Sequence, residues 1–333
     1  MIKKIIISIL TFNLLFLIAG CSSNETVAYF GKNEISKKEF SFAADVCKSE
    51  TILYFTSKYD VSSFSSDDFW ETEFGEDKET PIDVLKDKAL KYLSDSHAVF
   101  SLCEQEGIVE DASFENIEKM YQKENEKREN NESYEIIYGV TSFDFASYYD
   151  WFLSNCKLEL EKVMQEKIST EDIKAYYGKN KDKIAAKPLV YTCEQYKIDY
   201  DEKILDKINL LIENKTKFEK IGAEIGGEKT EVSYNMGNEK ALSVETPNLL
   251  TELKKCSAGE IILSVDANII YIINVKEISD LEYEEIESVS SKIKALIAKD
   301  RLDKKIEKTK NNNKIKKTDW LNQCRWQDLK EIE

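Results

Sequence analysis

The sequence predicts a mostly helical α+β protein, in which a helical module built from N- and C-terminal segments is interrupted by an α/β insert. Three observations carry that prediction. Glycine and proline are scarce, at 11 and 3 of 333 residues, and 33% of the chain is charged, a composition that favours long helices over turn-rich β architecture. Apolar stripes with helical spacing recur on both sides of a central segment. Within that segment, Leu189 to Ile198 and Ile269 to Val275 read as strands, the second a buried run of β-branched residues.

The chain begins with Lys3 and Lys4 and then an apolar run from Ile5 to Ala19. About 15 residues rise about 22 Å as a helix, short of the ~30 Å hydrocarbon core. A charged start, an apolar middle and a small-residue end form a secretory signal. It closes with Leu17-Ile18-Ala19-Gly20-Cys21, which resembles the bacterial lipoprotein signal, with Ile18 where Leu is commoner. That resemblance implies lipidation of Cys21 and placement on the extracytoplasmic face of the cell membrane; a plain signal peptide or an N-terminal membrane helix are the alternatives. Removing Lys3 and Lys4 with the leader takes the net charge from −16 to −18.

Past a short tether, Val27 to Phe30 and a turn at Gly31 lead to Ser36 and Glu39, a capping box opening a helix to about Tyr59. Thr80, Pro81 and Asp83 start another, as N-cap, first-turn proline and N3 acid, and Gly107 ends it. Ile117 to Arg128 reads as polar helix. Phe145, Tyr148, Tyr149 and Phe152 mark a helix continuing to about Glu166, and Ser169 with Asp172 caps one more. After the strand at Leu189, Glu202 to Ile225 reads as one or two helices. Ile286, Val289, Ile293, Leu296 and Ile297 bring the helical stripe back.

The composition excludes several chemistries. His97 is the one histidine, so no HExxH zinc helix exists, and a Ser-His-Asp triad would need His97 itself. An acidic chain is a poor partner for nucleic acid, whose backbone is bound through Lys and Arg. The acidic stretch Asp67 to Glu79 lacks EF-hand spacing. Gly222 to Thr230 carries one residue too many for a phosphate loop and follows a helix. No metal or cofactor is expected. Of the remaining cysteines, Cys47, Cys103, Cys156, Cys193, Cys256 and Cys324, none has CxxC spacing; they are disulfides or buried thiols, and Cys103 and Cys156 each end an apolar helical stripe.

The order of these pieces resembles the SurA-like and PrsA-like extracytoplasmic foldases, which carry a parvulin-type peptidyl-prolyl isomerase domain. Val27 to Ser36 resembles the family's opening strand, turn and first helix start, and Ile168 to Tyr177 its helix leading into the parvulin domain. Lys217-Phe218-Glu219-Lys220-Ile221 is similar to a helix of that domain, Cys256 to Ile261 to its glycine turn, and Tyr271 to Val275 to its final strand. The resemblance implies a leader at 1–20 and an N-terminal helical chaperone domain at 21–183. A parvulin-like domain would follow at 184–280, and at 281–333 a C-terminal helix and tail packing back on the first domain. It also implies that residues 27–30 pair with a strand near Lys314-Ile315-Lys316. Active parvulins place a histidine on the first and on the last strand; here Tyr271 occupies the latter position and no histidine follows His97. The family's glycine-rich segment is also missing, so the resemblance implies a degenerate domain with no catalytic residue.

Aromatic residues crowd into 54–74 and 134–152. Phe64, Phe69, Trp70, Phe74, Tyr148 and Trp151 are the candidate client-binding side chains, because rings offer broad contact at low entropic cost. Phe69, Trp70 and Phe74 lie in an acidic stretch expected to pack poorly as core. The function expected is a lipid-anchored chaperone or foldase that binds unfolded or nascent secreted polypeptides. An active prolyl isomerase and a ligand-binding or envelope-scaffold lipoprotein are the alternatives.

Overall fold

The computed structural model describes residues 25–61, 63–130 and 141–330; the leader and Cys21 lie outside them. In chain order the elements are β1 (Thr26–Phe30), β2 (Asn33–Ser36), α1 (Lys37–Tyr59), α2 (Asp67–Glu71), α3 (Pro81–Gln105), α4 (Phe114–Asn130), α5 (Phe145–Glu166) and α6 (Thr170–Ile184). Then come β3 (Val190–Asp199), α7 (Glu202–Glu213), α8 (Phe218–Ile225), β4 (Lys229–Asn235), α9 (Glu239–Glu245), α10 (Pro247–Leu253), β5 (Ile261–Asp266) and β6 (Ile269–Ile278). The chain finishes with α11 (Ile286–Asn312), β7 (Ile315–Lys317), α12 (Asp319–Gln323) and α13 (Trp326–Lys330). The fold is α+β and mostly α. It divides into two compact units, Met1–Ile168 with Lys294–Glu333, and Ser169–Ile293. The second unit therefore takes in α6 and the start of α11, beyond the 184–280 expected.

In the first unit a small antiparallel sheet has the order β2-β1-β7. Gly31 turns the β1–β2 hairpin at φ +62°, where an added Cβ would collide with the Asn313 side chain, so glycine is required twice over. Tyr29 pairs with Lys316 and Phe30 with Ile315, the closure expected between the two ends of the chain. Thr318 strengthens it: its N–H and hydroxyl both donate to the Val27 carbonyl, at 3.0 and 2.8 Å. Val27, Ala28, Phe30 and Ile35 are buried under that sheet with Phe40, Ala43 and Ala44 of α1 and Leu85, Ala89 and Leu93 of α3.

The helix starts follow the sequence, with one difference. Thr80 accepts from the Asp83 N–H and Pro81 sits at the first position of α3; Ser169 and Asp172 form a complete capping box on α6. At α1 only half of the expected box forms. Ser36 accepts from the Glu39 N–H at 3.2 Å, but the Glu39 carboxylate lies 2.9 Å from His97 Nε2 on α3. Glu39 is buried, and a buried carboxylate gains more from a nearby histidine than from capping an end that Ser36 already serves.

The second unit is a four-stranded antiparallel sheet of order β4-β3-β6-β5. Tyr196, Ile270 and Ile272 face Ile208 of α7 and Phe218 and Ile221 of α8. Tyr191, Cys193, Tyr271, Ile273 and Val275 face Leu249 and Leu253 of α10. Sequence reasoning located β3 and β6 but not β4 or β5. β4 is a mostly exposed edge rich in charge, so it carries no clean apolar alternation.

Two predictions follow from the packing of the first unit. Phe30→Ala leaves a void beneath the closing sheet and lowers unfolding free energy by about 3–5 kcal/mol in urea titration; a loss below about 1 kcal/mol would mean that the site repacks freely. Glu106 accepts from Lys167 and Lys305, each at 2.7 Å, and these bonds hold its carboxyl at about 2, below its ordinary 4.5. Its folded value is the lower one, so its stabilisation is complete above about pH 4.5 and is lost as pH falls toward about 2. Glu106→Gln therefore flattens stability against pH across that window, and an unchanged acid limb would rule the interaction out.

Candidate functional site

Tyr271 lies on β6 opposite Lys197 of β3 and Ser264 of β5. Period-two alternation puts Tyr191, Cys193 and Gln195 of β3, Tyr234 of β4 and Ser264 and Asp266 of β5 on the same face. Tyr234 donates from its hydroxyl to Gln195 Oε1 at 2.7 Å. Asp266 accepts from Ser264 Oγ at 3.0 Å and from the N–H groups of Asn248 and Leu249 at 2.9 Å each. Those N–H groups open α10, so the carboxylate satisfies a helix start and fixes α10 over the sheet.

This face carries no acid, base or nucleophile poised for neutral pH. Burial pushes the Cys193 thiol up to about 11 and raises the hydroxyls of Tyr191, Tyr234 and Tyr271. All four stay protonated, and the one carboxylate, Asp266, is committed to α10. The face is also filled: Tyr271 is 7% exposed, Tyr234 9% and Tyr191 5%. Sequence reasoning missed Gln195 and Asp266, although Gln195 stands where the strand's alternation demands an inward residue.

The aromatic candidates of the first unit separate into two groups. Phe69 and Trp70 are buried on α2, contrary to the expectation for that acidic stretch. Trp70 stacks on Trp326 of α13 with centroids 4.3 Å apart, and the Trp326 Nε1–H donates to Asp67 at 2.9 Å. Hydrogen bonds from Trp326 and Lys330 hold the Asp67 carboxyl below its usual range. Phe74 is half-buried and stacks on Tyr59 at 5.6 Å. The Tyr59 hydroxyl donates to Glu79 at 2.7 Å, beside Lys58 at 2.8 Å. Tyr148 is buried against Tyr121 and Phe143. Phe69, Trp70 and Tyr148 are therefore buried, and Phe74 packs half-buried against the core.

Phe64 and Trp151 remain at the surface, 45% and 44% exposed. Trp151 lies against Phe143 and Tyr148 at one end of α5. Leu158 is 54% exposed and follows two helical turns later on the same side of α5; its spacing from Trp151 was the overlooked signal. A recess of about 20 Å³ beside Ala44, Lys48, Leu85 and Trp326 has room for a single water. Among the described residues no cluster of side chains could hold a metal ion. No described helix is long and apolar enough to cross a membrane.

No family model matches the sequence, and no curated protein matches it. Among solved structures, the chain is similar to the foldase protein PrsA of Streptococcus pneumoniae at 14% identity and a TM-score of 0.24, covering 71% of this chain and 87% of that one. A SurA-like chaperone of Campylobacter jejuni matches at 13% identity and a TM-score of 0.29, covering 89% of this chain and all of that one at 100%. The PrsA peptidylprolyl isomerase of Bacillus cereus matches at 14% and 0.24, covering 94% and 100%.

The two aromatic groups predict opposite mutational behaviour. Trp70→Ala removes the stack on Trp326 and costs about 3–5 kcal/mol of unfolding free energy, whereas Phe64→Ala stays within about 0.5 kcal/mol of the parent. Equal effects in chemical denaturation would contradict the division into core and surface.

Proposed function

We propose that the protein is a lipid-anchored extracytoplasmic chaperone that binds unfolded secreted or envelope polypeptides without isomerising them. The observation that carries this reading is the apolar ridge of Trp151 and Leu158, two large side chains left in water on one side of α5. Charged neighbours Asp150, Lys157 and Glu159 are exposed beside it, a polar rim that keeps an apolar contact surface soluble. The sequence motifs shared with PrsA-like and SurA-like foldases, and the lipoprotein signal ending at Cys21, point the same way. Prolyl isomerisation needs no general acid or base, only a surface that favours the twisted amide. The parvulin-like face is nonetheless occupied by its own tyrosines, which supports binding without catalysis.

The lipid-free chain from Ser22 should suppress aggregation of a chemically unfolded client in light scattering. The double variant Trp151→Ser, Leu158→Ser should lose that suppression several-fold while keeping its melting temperature. If the variant protects as well as its parent, the ridge is not the contact surface. In a protease-coupled prolyl peptide assay the expected rate is the uncatalysed one; acceleration that disappears in Tyr271→Ala would favour the isomerase instead. Cys21→Ala should abolish lipid labelling and membrane retention in cells.

A further inference from the structure

Cys103 lies in the last turns of α3 and Cys156 in the middle of α5, two helices that pack together. Their contacts follow the same order along both helices. The Tyr92 hydroxyl donates to Asp150 at 3.0 Å, Phe100 meets Phe152 at 5.6 Å, and Lys167 reaches Glu106 at 2.7 Å. Cys103 and Cys156 occupy the rung between the last two. Their exposures are 0% and 3%, and the Cys103 Sγ donates to the Cys156 carbonyl at 3.5 Å. By contrast, the Cys256 and Cys324 thiols donate to nearby backbone carbonyls, of Leu253 and Arg325.

We propose that Cys103 and Cys156 are a disulfide-forming pair, an oxidisable strap joining α3 to α5. The oxidant is a small or protein-borne disulfide. The thiolate of one cysteine attacks one of its sulfurs and expels the first carrier thiolate. The other cysteine then gives up its proton and attacks the sulfur of the first, expelling the second. Two thiols become one S–S bond, and the carrier disulfide is reduced to two thiols by the same two electrons. Burial closes the folded protein to this exchange, so it takes place while the chain folds or opens. The strap spans 53 positions and restricts the unfolded chain accordingly. It also fixes the helix that carries Trp151 and Leu158. It is independent of what that ridge binds.

The test uses the full chain, unfolded in urea under reducing conditions and refolded with oxidised glutathione. Remaining thiols are then alkylated in denaturant and peptides mapped by mass spectrometry. The expected result is a linked peptide pair containing Cys103 and Cys156, with two fewer alkylated thiols per chain than in the reduced control. The melting temperature should rise and return to the reduced value with dithiothreitol. In Cys156→Ala, oxidant should leave the melting temperature unchanged and Cys103 free. Wild-type protein in which both residues are alkylated after oxidative refolding overturns the proposal, as does a disulfide joining either to another cysteine. The wild-type map decides the matter even if the variant fails to fold.

Discussion

The first unit depends on one pairing, the antiparallel contact of β1 with β7. It joins positions 291 apart in the chain, as the Thr318–Val27 hydrogen bond shows. Closing a flexible loop of that length costs roughly 5 kcal/mol beyond a constant term. Val27, Phe30 and Ile35 are buried to within 1%, and each contributes about 1.5–3 kcal/mol, so burial outweighs the length-dependent cost. The buried ammonium of Lys86 adds a second tie, donating to the Cys324 carbonyl at 3.1 Å. Once the ends are held, the α/β unit is an excursion between them and can vary without disturbing the core that α1 and α3 build.

One face of the sheet in the second unit is closed by its own side chains. Here Gln195 and Tyr234 satisfy each other, Asp266 is spent on the start of α10, and tyrosine rings fill the remaining volume. Each of these contacts serves the packing of the sheet against α10. A buried Gln–Tyr hydrogen bond contributes only modestly to stability, but leaving either partner unpaired would cost about 1–3 kcal/mol. The pair therefore holds the face shut.

The local signals in the sequence were read well because they act over a few residues. Thr80, Pro81 and Ser169 mark helix starts by the same chemistry in any fold, and the β-branched run at Ile269 has no good alternative to a buried strand. Two of the misreadings were at long range. Glu39 looked like a capping residue because His97, its actual partner, is 58 positions away. Phe69 and Trp70 looked exposed because an acidic loop surrounds them, and the tryptophan that covers them arrives from the other end of the chain.

The second of these cases explains why so few rings remain outside. Trp326 is brought to α2 only because β7 is fixed on β1, with α12 and α13 following directly. Asp67 then accepts from the Trp326 indole and from Lys330, so acidic residues that seemed to exclude a core instead orient its lid. With Phe69, Trp70 and Phe74 absorbed in this way, the exposed rings are fewer and their positions more informative. Trp151 and Leu158 stand on a helix whose opposite side, Tyr149, Cys156 and Leu160, is already packed. Rotating α5 to bury them would expose Tyr149 and Leu160, which are fully buried now, so the exposed pair cannot be covered without losing the core that holds the helix in place.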